Sequence, residues 1–185
     1  MTTIYLIRHG QASFGAASYD QLSPNGELQA KLLGRYFDEI LKEAPYVVAG
    51  SMQRHQQTAQ LSLDECFPES EILTDSAWNE FNHQQVFARY EPRFNQPELL
   101  KQDVSEHANP RDYLSKIFSG AIARWTCDDY HHEYDESWPN FKSRVETGLQ
   151  NLCDQLAQTK PRYAIVYTSG GVISVAVGKI LGLSP

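Results

Sequence analysis

IYLIRHG, residues 4–10, is an apolar run rich in β-branched and aromatic side chains that ends in a guanidinium, an imidazole and a glycine. Residues 3–8 have the composition of a buried strand, and the polar stretch 11–21 that follows reads as a loop. Open α/β sheets bind their ligands beyond the carboxyl ends of the strands. Arg8 and His9 therefore fall where a site belongs, and the pair suits an anion and a nucleophile. Taken alone, an arginine and a histidine at a strand end are an ordinary solvated turn. What the rest of the chain brings to the same sheet edge decides between the two.

Working outward, Ser23-Pro24 announces a helix: the serine suits the cap, the proline the first helical position. Leu28, Leu32, Leu33, Tyr36, Phe37, Ile40 and Leu41 recur at helical spacing and are expected to form its apolar face. Residues 46–50 read as a short strand, 53–65 as a helix and 71–73 as another short strand. This alternation of strand and helix points to a mainly parallel sheet. Residues 78–110 carry Asn, Gln, Glu and Pro with scattered aromatics and read as an excursion over the sheet, extending to about residue 136. Within it, Asn109-Pro110 starts a helix with Asp112 in its first turn and Tyr113, Ile117, Phe118, Ala121, Ile122 and Trp125 on its apolar side. A further helix carries Trp138, Phe141, Val145, Leu149, Leu152 and Leu156 three and four residues apart, a core stripe. Residues 162–168 are a last apolar strand. The segment VISVAVGKILG, 172–182, is apolar on nearly every side and is expected to be a buried helix.

The 185 residues suit a single domain spanning 1–185, with no linker to divide it. The apolar stretches fall short of the 18 residues or so that a membrane span needs. The N-terminal MTTIYLIRHG reads as a strand rather than a signal peptide. Cys66, Cys127 and Cys153 are odd in number and far apart, which suits a reducing compartment, so a cytoplasmic location is expected. A net charge of −7 without any Lys/Arg cluster argues against nucleic acid as a partner. An anion site must therefore be local. The sequence does not set the oligomeric state; a homodimer is compatible with it.

In a parallel sheet, strands ending at Ile7 and Tyr167 deliver Arg8, His9, Ser169 and Gly170 to one edge. A third strand ending at Gly50 leads into SMQRHQQTA, 51–59, which places Arg54 in the first turn of a helix on that edge. Two guanidinium groups at a helix start suit a phosphoryl group. Glu80, in WNEFNH, is a carboxyl group that a leaving-group oxygen can take a proton from.

These segments resemble the histidine phosphatase superfamily, the phosphoglycerate mutase-like family. LIRHGQA, LSPNGELQA and SMQRHQQTA are similar to its signature segments, WNEFN to the stretch bearing its acid, and WPNFKSRVETGL to the helix before its last motif. The resemblance implies a three-layer α/β/α sandwich around a mostly parallel sheet, with His9 as the nucleophile that becomes phosphorylated. It implies that Arg8 and Arg54 bind the phosphoryl oxygens and that Glu80 protonates the departing alcohol, then deprotonates water. It implies no metal and no organic cofactor. The expected activity is hydrolysis of a phosphate monoester, with a small phosphorylated substrate or a phosphoprotein as partner. Mutase action fits less well, because mutases of the family are typically longer.

The chain also departs from that pattern. The last motif of the family usually carries a second histidine that contacts the phosphoryl group, whereas IVYTSGG places Ser169 there, with Gly170 beside it on the phosphate. A hydroxyl cannot be cationic, which is expected to cost about 1–3 kcal/mol of transition-state stabilisation. The alternative expectation is accordingly a phosphate-binding relative with little or no catalysis. An asparagine usual after the first motif is missing near Phe14-Gly15. His55 and His83 are candidates to compensate, though each also reads as a surface residue, and His131-His132-Glu133 reads as a solvated loop rather than a metal cluster. Ser169 itself lacks the G-x-S-x-G context of a nucleophile. Trp78, Phe81, Phe87, Tyr90 and Phe94 either wall a leaving-group site or cover a core. Members of the family usually continue beyond this final helix, so a truncated chain is a further expectation.

Overall fold

The computed structural model describes residues 1–13 and 20–183. The strands β1 (Thr3–Arg8), β2 (Tyr46–Ala49), β3 (Ile72–Thr74) and β4 (Tyr163–Thr168) form one parallel sheet in the order β1-β4-β2-β3. The last strand thus lies between the first two. All six residues of β4, YAIVYT, are buried, whereas β1 at the edge is only partly so. A strand covered on both faces needs a continuous apolar run, and β4 has the sequence for it. Arg8 pairs with Thr168 and Ala49 with Tyr167. The strands β1, β4 and β2 therefore end level, and residues 9, 50 and 169 emerge at one edge.

Helices lie on both sides of the sheet, the three-layer arrangement expected. On one face Tyr163, Ile165 and Tyr167 pack with Val47 and Ala49 against Phe37 and Leu41 at the end of α1 (Pro24–Ile40) and Ala59 and Leu63 of α2 (Gln53–Leu63). The alternate residues Ala164, Val166 and Thr168 point the other way. There α6 (Trp138–Thr159) and α7 (Gly170–Leu181) bury Val145, Leu149, Leu152, Leu156, Val172, Val175 and Ala176.

Two compact units divide the chain: Met1–Glu80 with Arg144–Pro185, and Phe81–Ser143. The first contains the sheet. The second is helical, with α3 (His83–Tyr90), α4 (Pro97–Glu106) and α5 (Pro110–Thr126). Phe81 anchors its core, with ring centroids 4.6 Å from Trp125 and 5.6 Å from Phe141. Trp125 also donates its indole N–H to the carbonyl of Glu136. Buried Trp78, Phe81 and Phe94 serve as core, each in its own unit, while Tyr90 is exposed.

Residues 78–110, in which the sequence reading named no element, hold α3 and α4, α3 capped by Asn82, which accepts from the Gln85 N–H, and α4 opened by Pro97. Two expectations need correction. In α1 the buried stripe is Gly26, Ala30, Gly34 and Phe37, while Leu28, Leu32 and Tyr36 are exposed. Small residues win that face because the helix backbone comes close to Gln11 and to Ser62. Helix α7 is buried on one side only, through Val172, Val175 and Ala176, and exposes Ile180 and Leu181. Phe14-Gly15 lies outside the described residues.

Candidate active site

His9 follows β1, its N–H donating to the Thr168 carbonyl and so extending the β1–β4 ladder by one bond. Gly10 then turns the chain. Its N–H donates to Thr58 Oγ1, whose hydroxyl in turn donates to the Arg54 carbonyl, tying the turn to α2. A side chain on Gly10 would run into the Gly26 carbonyl, and one on Gly26 into the backbone of Gln11. The two glycines let the loop and α1 touch backbone to backbone. Gln11 fastens the same junction: its N–H donates to Gln29 Oε1, and its own Oε1 accepts from Asn25 and Ser23. Ser23 caps α1, accepting from the Gly26 N–H.

The His9 ring is oriented by two hydrogen bonds. Nδ1 donates to the Gly10 carbonyl at 2.7 Å, which places the hydrogen on that nitrogen. Nε2 accepts from Arg54 Nε at 3.2 Å and so presents a lone pair. Burial, followed by the charges of Arg54 and Arg8, outweighs the Gly10 carbonyl and holds the His9 pKa down to about 4. The imidazole is neutral at pH 7, with its Nε2 lone pair turned to a guanidinium.

Arg54 is only 5 % exposed. Its Nη1 pairs with Asp20 Oδ1 at 2.6 Å, and the second Asp20 oxygen accepts from the N–H of Gln53 at the start of α2. One carboxylate thus neutralises the buried cation and satisfies an orphan helix donor. Arg8, at the end of β1, is exposed, and its Nε is the nearest atom to the open side of Gly170.

Glu80 closes a turn held from three sides. Thr168 Oγ1 donates to the Trp78 carbonyl, Asn79 Oδ1 accepts from the Ser51 N–H, and Arg144 Nη1 of α6 donates to the carbonyls of Ser76, Ala77 and Asn79. Glu80 Oε2 accepts from the Gly171 N–H at 3.0 Å, which fixes the carboxyl group at the start of α7. Ser169 is buried, and its Oγ lies 2.7 Å from His55 Nε2. The His55 ring is in turn 5.6 Å from that of His9, centroid to centroid.

The structure therefore brings Arg8, His9, Arg54, Glu80, Ser169 and Gly170 to one edge of the sheet within the first unit. His55 joins them, buried rather than on the surface. His83 is the first residue of α3 in the second unit, with its ring near Phe87. Asp20, Thr58 and Arg144 are parts of the site that the sequence did not disclose. Each acts on a partner more than 30 positions away, and the only local signal was that Thr58 and Arg144 sit inside recognisable segments. The site offers a neutral imidazole, two guanidinium groups, N–H groups at a helix start and a carboxyl group.

Comparison with solved structures agrees with this fold. Phosphoglycerate mutase from Bacillus anthracis superposes with a TM-score of 0.64 at 16% identity, over 96% of this chain and 79% of that one. A putative alpha-ribazole-5'-P phosphatase from Escherichia coli gives 0.60 at 21% identity, over 98% and 80%. Mycobacterial glucosyl-3-phosphoglycerate phosphatase gives 0.61 at 17% identity, over 97% and 79%. No curated protein sequence matches significantly. The sequence profile of the histidine phosphatase superfamily (branch 1) matches residues 4–185, and with His9, Arg8 and Arg54 at one strand edge the chain belongs to that superfamily.

Proposed function

We propose that the protein hydrolyses a phosphate monoester through a phosphohistidine on His9, without a metal. The observation that carries this reading is the pair of hydrogen bonds on His9: the Gly10 carbonyl takes the Nδ1 hydrogen, and Nε2 is left as a lone pair against Arg54. Nε2 attacks phosphorus while the P–O bond to the alcohol breaks, and Glu80 gives its proton to the departing oxygen. In the second step Glu80 takes a proton from water, whose oxygen displaces His9 Nε2 and releases inorganic phosphate. Splitting the transfer in two lowers each barrier. Arg54 and Arg8 meet the charge on the phosphoryl oxygens, and because Asp20 already holds Arg54 in place, little reorganisation is needed.

A second reading, phosphate binding with little catalysis, is favoured by Ser169, a neutral group at the end of β4. One assay separates the two. The first predicts turnover of p-nitrophenyl phosphate by the purified protein that survives a chelator and disappears in His9→Ala. Phosphate binding without turnover between pH 5 and 8 would leave the second. Transfer to an added phosphate acceptor in preference to water would make it a mutase-type enzyme.

A further inference from the structure

His55 is a polar side chain at the site to which the scheme above gives no task. It is wholly buried, at the third position of α2, beside the nucleophile. Its Nε2 contacts Ser169 Oγ, and its Nδ1 has no hydrogen-bond partner among the described residues. Nδ1 rests over Gly50, where any side chain would collide with it.

The unpartnered nitrogen settles which way the hydrogen bond runs. A neutral imidazole carries one hydrogen, and burial, with Arg54 and His9 nearby, keeps His55 neutral by lowering its pKa to about 3. Placed on Nδ1, the hydrogen would be an orphaned interior donor, a rare and costly arrangement. Placed on Nε2, it is satisfied by Ser169 Oγ. His55 is therefore the donor and Ser169 the acceptor, which leaves the serine's own hydrogen directed elsewhere. A second observation agrees: Ser169 stands at the N-cap of α7, where a serine normally accepts from the helix's first N–H groups, yet its side chain makes no capping bond. Its oxygen is committed to His55 instead.

We propose that His55 is a positioning residue for phosphoryl transfer: through its Nε2–H it fixes the Ser169 hydroxyl as a donor to the phosphoryl oxygens, so that the two side chains together supply one hydrogen-bond donor at the end of β4. The inference rests on His9 being the phosphorylated nucleophile. It also makes His55 unsuited to activate Ser169 as a nucleophile, because an imidazole that donates to a hydroxyl cannot take its proton.

The test is a set of variants assayed with p-nitrophenyl phosphate, with thermal unfolding recorded for each. Ser169→Ala is expected to lower kcat about tenfold to a hundredfold with KM little changed. His55→Leu is expected to do the same, and the double variant to be no worse than the poorer single. His55→Gln keeps a donor and is expected to recover most of the loss, but only while Ser169 is present. His55→Ala combined with Ser169→His, which moves the imidazole across the contact, is expected to exceed Ser169→Ala by at least tenfold. Losses that multiply, or a Gln variant no better than Leu at equal thermal stability, would overturn the pairing. Should His55→Leu and the His55→Ala combination unfold, the comparison of His55→Gln with and without Ser169→Ala decides alone. Acid-labile phosphoenzyme on His9 in the wild type, with rates indifferent to the His55 series, would sink this inference and leave the hydrolase reading standing. Absence of both turnover and phosphohistidine in the wild type would overturn both.

Discussion

In the proposed mechanism His9 is prepared as a nucleophile before any substrate arrives, because the Gly10 carbonyl selects its tautomer and burial selects its charge. Since His9 must be neutral to attack, its protonation limb in kcat/KM belongs near pH 4 rather than at the ordinary histidine value of 6.5. A pH profile measured with p-nitrophenyl phosphate is therefore expected to show no His9-dependent fall as pH drops through 6.5; a limb there that vanished in no other variant would contradict the assigned tautomer and burial. In the same proposed mechanism Glu80 acts on the leaving oxygen. Glu80→Gln is expected to lower kcat by about 10²–10⁴-fold for an alkyl phosphate and by much less for p-nitrophenyl phosphate, whose leaving group departs without a proton. Arg8, His9, Arg54, Glu80 and Ser169 were legible in the sequence because each follows a strand end or falls in a recognisable segment. Asp20 and Thr58 were not, and His55 stood only as a candidate to compensate, because what they do is set by partners such as Arg54, Gly10 and Ser169 that only folding brings to them.

The helix starts were the most readable elements, because capping is local chemistry: Ser23-Pro24 and Asn109-Pro110 begin α1 and α5 as expected. Faces were harder. Leucine spacing put Leu28 and Leu32 in the core, but the close approach of α1 to the Gly10-Gln11 turn and to α2 admits only Gly26, Ala30 and Gly34 there. The assignment has a direct check. Gly26→Ala is expected to cost about 3 kcal/mol or more, since the clash is with backbone, and to lower activity by displacing His9. Leu28→Gln is expected to stay within about 0.5 kcal/mol of wild type, where the sequence reading alone would have made it the severe change. Urea unfolding of the two variants separates the readings, and similar losses in both would refute the observed face. Arg144 makes the same point for α6, whose apolar stripe was plain while its polar residue went unassigned. Its guanidinium holds three carbonyls of the turn before Glu80, so Arg144→Leu is expected to reduce kcat more than it reduces stability.

For the whole molecule, the alternation of strand and helix made a parallel sheet legible. The order β1-β4-β2-β3 became visible only in the register, as did the burial of His55 and the partial burial of His9 where β1, β4 and β2 end. That burial links global stability to pH. Both His9 and His55 have folded-state pKa values below the unfolded 6.5, at about 4 and about 3. Between those limits the unfolded chain binds protons that the folded chain refuses. The stabilisation is thus fully present above pH 6.5 and is lost as pH falls toward 4 and then 3, at up to about 1.4 kcal/mol per pH unit for each histidine. Ordinary carboxylates titrate mostly below pH 5, so the interval from 6.5 to 5 reports on histidine. Wild-type stability in urea is expected to drop by about 2–3 kcal/mol between pH 7.5 and 5.5, and His55→Gln, which has no proton to gain, to drop by about 1 kcal/mol less. Equal slopes in the two proteins would mean that His55 titrates freely in the folded state, which its complete burial against Ser169 and Gly50 does not allow.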